Sequence, residues 1–126
     1  MRKKSSSSVR VFYPKLDRTR LVRILSQGLR ELNPKLPLVR AVLFGSYAKG
    51  GYTVGSDVDL LIIYQGDPQP SAYATVKKIL NVPRLEPHLY TEDEYRKLKG
   101  TVDRMTVDGV VLFPKKGRGY SPVRER

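Results

Sequence analysis

Two acids two residues apart, Asp57 and Asp59, open a run that is otherwise apolar, Leu60-Leu61-Ile62-Ile63. In an extended strand that spacing puts both carboxylates on one face, with Cα atoms roughly 6.5–7 Å apart. Two neighbouring acids on an apolar strand are costly unless something positive compensates them. Hard carboxylate oxygens select Mg²⁺ or Mn²⁺, which keep waters and share phosphate oxygens with a substrate. Such ions, used as a pair, clamp in-line attack at phosphorus. The competing explanation is an acid pair satisfied by Lys or Arg neighbours. Ten residues before Asp57 stand Gly45 and Ser46. There a glycine lets the backbone turn sharply toward a ligand, and a serine hydroxyl with the free N–H groups of a starting helical turn suits phosphate oxygens. Lys49 adds a charge able to neutralise a triphosphate. The stretch is not a P-loop: Gly45 and Gly50 have that spacing, but Gly51 and Tyr52 follow where Lys and Ser/Thr are needed. The dinucleotide fingerprint G-x-G-x-x-G is absent.

Other chemistries are closed by composition. The chain has no cysteine and one histidine, His88, which removes thiolate sites, disulfides and His-rich metal centres. At 126 residues it has interior enough for one core. The net charge of +12 is concentrated at the ends. Arg2, Lys3, Lys4 and Arg10 fall in residues 1–10 beside Ser5 to Ser8. Lys115, Lys116, Arg118, Arg124 and Arg126 fall near the other end. Residues 1–10 and 115–126 therefore read as flexible basic arms flanking a domain at 11–114. The arms offer salt-sensitive attraction to RNA, or simply a solubilising fringe. No apolar run reaches the ~20 residues of a membrane span, and no apolar segment follows the basic start. The expectation is a soluble, cytoplasmic domain.

The elements that must position these residues follow from periodicity. Leu21, Ile24, Leu25, Leu29 and Leu32 predict a helix within 16–32, with Asp17 as N-cap and Asn33-Pro34 as the stop. Val39–Phe44 reads as a buried strand running into Gly45. Asp57–Tyr64 reads as a strand buried on both faces. Ser71–Leu80 predicts a short amphipathic helix with Ala72, Val76, Ile79 and Leu80 inward. Arg84–Tyr90 is a strand interrupted by Pro87, hence near a sheet edge. Thr91 and Glu94 form a capping box for a helix expected to close at Gly100, and Val110–Phe113 is the last strand. Tyr47 and Tyr52 border the loop, where they can pack or stack on a nucleobase. The pattern is α/β, a mixed sheet flanked by helices.

Gly45-Ser46, ten residues, then Asp57-Val58-Asp59 resembles the GSx10DxD signature of the nucleotidyltransferase superfamily that includes DNA polymerase beta. Ala48-Lys49-Gly50, Ser56 and the closing Asp108-Gly109-Val110-Val111-Leu112-Phe113 agree with it. Lys49 stands where many relatives have Arg. In length the chain resembles the minimal nucleotidyltransferases, or MNT proteins, commonly paired with a HEPN-domain RNase as toxin–antitoxin modules. The resemblance implies a polymerase beta-like minimal core over residues 16–114. It implies Mg²⁺, or Mn²⁺, held by Asp57 and Asp59, and ATP gripped by Gly45, Ser46 and Lys49. It also implies a third carboxylate on a later strand that completes the metal site and helps deprotonate the acceptor. Glu86 is the candidate, sharing its face with Arg84, His88 and Tyr90; the competing reading is an edge-strand Glu paired with Arg84. The implied activity is transfer of AMP to a hydroxyl, on a tyrosine of the HEPN partner. Two other functions stay open: masking of a partner without catalysis, and nucleotide transfer to RNA.

Overall fold

The computed structural model describes residues 17–53 and 55–114. The arms at 1–10 and 115–126 lie outside the described residues. In chain order the elements are α1 (Arg18–Leu32), β1 (Leu38–Phe44), α2 (Ser46–Lys49), β2 (Val58–Tyr64), α3 (Ala72–Leu80), β3 (Leu85–Thr91), α4 (Glu92–Met105) and β4 (Val110–Phe113).

The Asp17 carboxylate accepts from the Arg20 amide at 2.9 Å and starts α1, whose Leu21, Leu25, Leu29 and Leu32 are buried. Each such leucine contributes about 1.5–3 kcal/mol through the surface it removes from water. Ile24, expected inward, is instead 41% exposed, because the buried stripe continues through Gly28. A Cβ at Gly28 would run into the Leu80 side chain, so glycine lets α1 and α3 touch there. On α3, Ala72, Val76 and Leu80 are buried and Ile79 packs partly against the same core, as the periodicity predicts.

The strand order is β3-β2-β1-β4. β1 pairs antiparallel with both β2 and β4, and β2 pairs parallel with β3 through α3. This is the mixed α/β sheet that the pattern indicated. One face packs Ala41, Leu43, Leu60, Ile62 and Leu85 against α1 and α3. The other packs Val42, Phe44, Leu61 and Ile63 against Val102 of α4. Pro87 lies opposite Leu60 on β3, the edge strand among the described residues, where a residue without an N–H leaves the ladder to β2 intact.

Two boundaries differ from expectation. α4 does not close at Gly100. It bends at the non-helical Leu98 (φ −113°, ψ 17°) and continues to Met105. Burial of Val102 and the bonds of Asp103 to Tyr95 and Lys99, both 2.6 Å, hold the second segment against the first. The capping box at its start forms as predicted: Thr91 Oγ1 accepts from the Glu94 amide, and the Glu94 carboxylate from the Thr91 amide. The second difference is Arg84, which precedes β3 rather than belonging to it. Its φ of +62° matches the left-handed Asn81 (φ +47°) at the other end of the short return from α3.

Candidate active site

The antiparallel β1–β2 pairing sets the last residue of β1, Phe44, opposite Asp59, while the parallel β2–β3 pairing sets Asp59 opposite Glu86. The C-terminal end of β1 and the N-terminal ends of β2, β3 and β4 therefore meet at one end of the sheet. Alternation along the strands puts Asp59, Glu86, His88 and Phe44 on the face that α4 covers elsewhere. Neighbouring strands are about 4.8 Å apart, so Asp59 and Glu86 are side by side. Glu86 is exposed and has no bonded partner among the described residues. Its competing explanation, a pair with Arg84, is not what forms.

Asp57 and Asp59 instead each meet a basic side chain. Asp57 Oδ1 lies 3.4 Å from Arg84 Nη2, with both side chains more than half exposed. Asp59 Oδ1 lies 3.4 Å from His88 Nε2, and the His88 ring meets Phe44 edge-on at 5.0 Å between centroids. Both separations exceed the 2.7–2.9 Å of a firm charge-assisted bond. An exposed pair such as Asp57–Arg84 is worth about 0–1 kcal/mol, so a stronger cation can displace it. Asp57 also stands one residue before β2, not on it as expected, so the two acids reach different partners.

Gly45 makes the sharp turn expected at the end of β1. It has φ +78° and ψ −152°, a conformation open to glycine, and a Cβ there would collide with Asp59 Oδ2. The backbone thus comes down directly onto the Asp59 carboxylate. Gly45 O accepts from the amides of Ala48 and Lys49, turning the chain into α2 and presenting an exposed Ser46. Lys49 is exposed at the end of that turn. The turn is pinned from behind, where Arg18 of α1 donates to Ala48 O. Tyr47 and Tyr52 stack on each other at 4.4 Å, and Tyr47 is only 4% exposed. This pair packs the loop. Burial, with the adjacent Tyr52 phenol, pushes the Tyr47 phenol up, while the Arg84 guanidinium pulls it the other way.

Among the described residues no three acidic or histidine side chains close on a common point as they stand. The donor set nonetheless fits a hard divalent ion. Asp59 and Glu86 are adjacent in register, Asp57 is two residues away, all three are reachable from solvent, and the missing Cβ of Gly45 leaves Asp59 Oδ2 approachable. The competing explanation, acids satisfied by Lys or Arg neighbours, is met in part by Arg84 at Asp57, whereas the contact of His88 with Asp59 escaped sequence reasoning. The only available signal was the i, i+2 alternation that sets Glu86 and His88 on one face.

Residues 22–116 match the nucleotidyltransferase domain family. A crystal structure of a candidate nucleotidyltransferase from Sulfolobus solfataricus superposes with a TM-score of 0.56 at 23% identity, over 84% of this chain and 90% of that one. At that identity the likeness concerns the fold. No match was found among curated proteins. Among the described residues no helix is long and apolar enough to cross a membrane.

Proposed function

Since the chain belongs to the nucleotidyltransferase domain family, whose members use a nucleoside triphosphate and a divalent metal, we propose that it transfers AMP from ATP to a tyrosine hydroxyl on a HEPN-domain RNase, as the antitoxin of that partner. The observation that carries the reading is the Asp59–Glu86 adjacency beneath Gly45. Asp57, Asp59 and Glu86 would hold Mg²⁺ or Mn²⁺. The metal's contribution is charge neutralisation on the phosphate chain, which is most of catalysis at phosphorus. Gly45 and Ser46 orient the phosphates, and Lys49 offsets their charge. Glu86 takes the proton as the acceptor oxygen bonds to the α-phosphorus. The α–β bridging P–O bond breaks, and pyrophosphate leaves with the electron pair. The exposure of Glu86 supports a large acceptor, because a hydroxyl on another macromolecule can reach it. Dependence on ATP makes the cytoplasm the compartment we propose.

The test is to incubate the protein with Mg²⁺, ATP labelled at its α-phosphate, and a HEPN-domain RNase. Label is expected on a partner tyrosine, and Asp57→Ala and Asp59→Ala abolish it. A second reading draws on the two basic contacts of the aspartates: the fold masks its partner without catalysis. Neutralisation that survives both substitutions selects that reading. Label on RNA instead of protein selects an RNA nucleotidyltransferase whose basic arms recruit the acceptor.

A further inference from the structure

Arg84 occupies an unusual position beside this site. It is a non-glycine residue at φ +62°, in a region that ordinary side chains avoid, and nothing in the chemistry above uses it. Its backbone is fastened on both sides. Arg84 O accepts from the Val58 amide at 2.8 Å, and the next carbonyl, Leu85 O, accepts from Lys77 Nζ at 2.6 Å. Its guanidinium is held only loosely by contrast: the side chain is 55% exposed and meets Asp57 at 3.4 Å. The charge of the same guanidinium also reaches the Tyr47 phenol, where it opposes the rise that burial causes. A fixed root with an exposed, always charged tip resting on Asp57 is built for exchange between anions. The planar fork of an arginine fits phosphate oxygens bidentately.

Resting on the nucleotidyl-transfer reading, we propose that Arg84 is a movable counter-charge. It holds Asp57 while the site is free of nucleotide, and turns to the phosphate chain when a divalent cation takes its place at Asp57. As a competitor for the metal and a ligand for the nucleotide, it has effects of opposite sign on the two affinities. A residue that merely supports the fold would move both the same way.

The experiment uses the full chain and two separate probes. Mn²⁺ alone is titrated by electron paramagnetic resonance. A non-hydrolysable ATP analogue with Mg²⁺ is titrated by fluorescence anisotropy. Arg84→Gly is the main variant, because glycine accepts φ +62° without strain. Expected is Mn²⁺ binding about 2–3-fold tighter, the worth of one exposed ion pair. Analogue binding should weaken by about 10-fold or more, the worth of a charge-assisted bond. Arg84→Lys, which keeps the charge but not the fork, should recover part of the analogue affinity. Unchanged affinities in Arg84→Gly, or a parallel loss of both, overturn this inference while leaving nucleotidyl transfer standing. A native protein that binds neither probe overturns both.

Discussion

Two groups of acids share one face of the sheet and are treated in opposite ways. Asp103, on α4, is saturated: the Tyr95 hydroxyl and the Lys99 ammonium each donate to it at 2.6 Å. Burial alone would raise its carboxyl, but those two bonds and the charge of Arg40 outweigh burial and hold it below the ordinary value. Asp57 and Asp59 have only 3.4 Å contacts, and Glu86 has no partner among the described residues. An acid whose task is to fasten a helix takes close, well-aligned donors. The acids proposed to receive a ligand are left with replaceable ones. The difference separates Asp103 from the proposed reactive carboxylates more sharply than exposure does, since the Asp103 side chain is itself 39% exposed.

The contrast is most directly attacked at Asp59. Asp59→Asn keeps the shape and removes the charge. It should lower nucleotidyl transfer by about 10³-fold or more, in line with the loss of a preorganised charge in phosphoryl chemistry. Its melting temperature should stay close to that of the native chain. A large fall in stability would make Asp59 a structural acid like Asp103. Gly45→Ala should act on both properties, since it forces a Cβ into Asp59 Oδ2 at an unfavourable φ. A stability loss of about 1–3 kcal/mol is expected in urea titration, with a fall in transfer too large to follow from unfolding. Glu86→Gln should reduce transfer by about 10²-fold, the scale of general-base assistance, and leave urea stability unchanged. Transfer that survives this substitution would place proton removal elsewhere.

The opposite member of the comparison predicts the opposite outcome. Asp103→Asn should cost about 1 kcal/mol, at the low end because the site is partly open to solvent, with transfer unaffected. The smallest effect is its pH dependence. A depressed carboxyl contributes stability that is present above its unfolded value and lost as pH falls through the folded one. The native melting temperature should therefore drop more steeply than that of Asp103→Asn as pH falls below about 4. Parallel curves would show that Asp103 is not held in its charged form.

Much of this architecture could be read from residue order. Leucine spacing announced α1, the Thr91–Glu94 box announced the start of α4, and Pro87 announced an edge. Gly45, Ser46 and the two aspartates announced the turn and the strand that meet at the site. What stayed hidden was set by tertiary contact. Gly100 has the composition of a helix end, but Val102 has a sheet to pack against and the helix continues. Ile24 fits the apolar period, yet the close approach of α1 to α3 at Gly28 shifts the buried stripe away from it. Arg84 reads as the first residue of a strand, and only the return from α3 turns it left-handed and toward Asp57. Local pattern encodes an element's existence; its last turn and its side-chain partners depend on neighbours distant in sequence.

Pro87 has a consequence for how this sheet meets other molecules. Among the described residues β3 is an outer strand, and the outer row of donors on such a rim invites a strand from another chain to zip alongside. At Pro87 that row has a gap, directly next to Glu86. An intruding strand would lose a hydrogen bond at the very point where it would wall off the carboxylate. Among the described residues the rim is thereby a poorer template for self-association at the position beside Glu86.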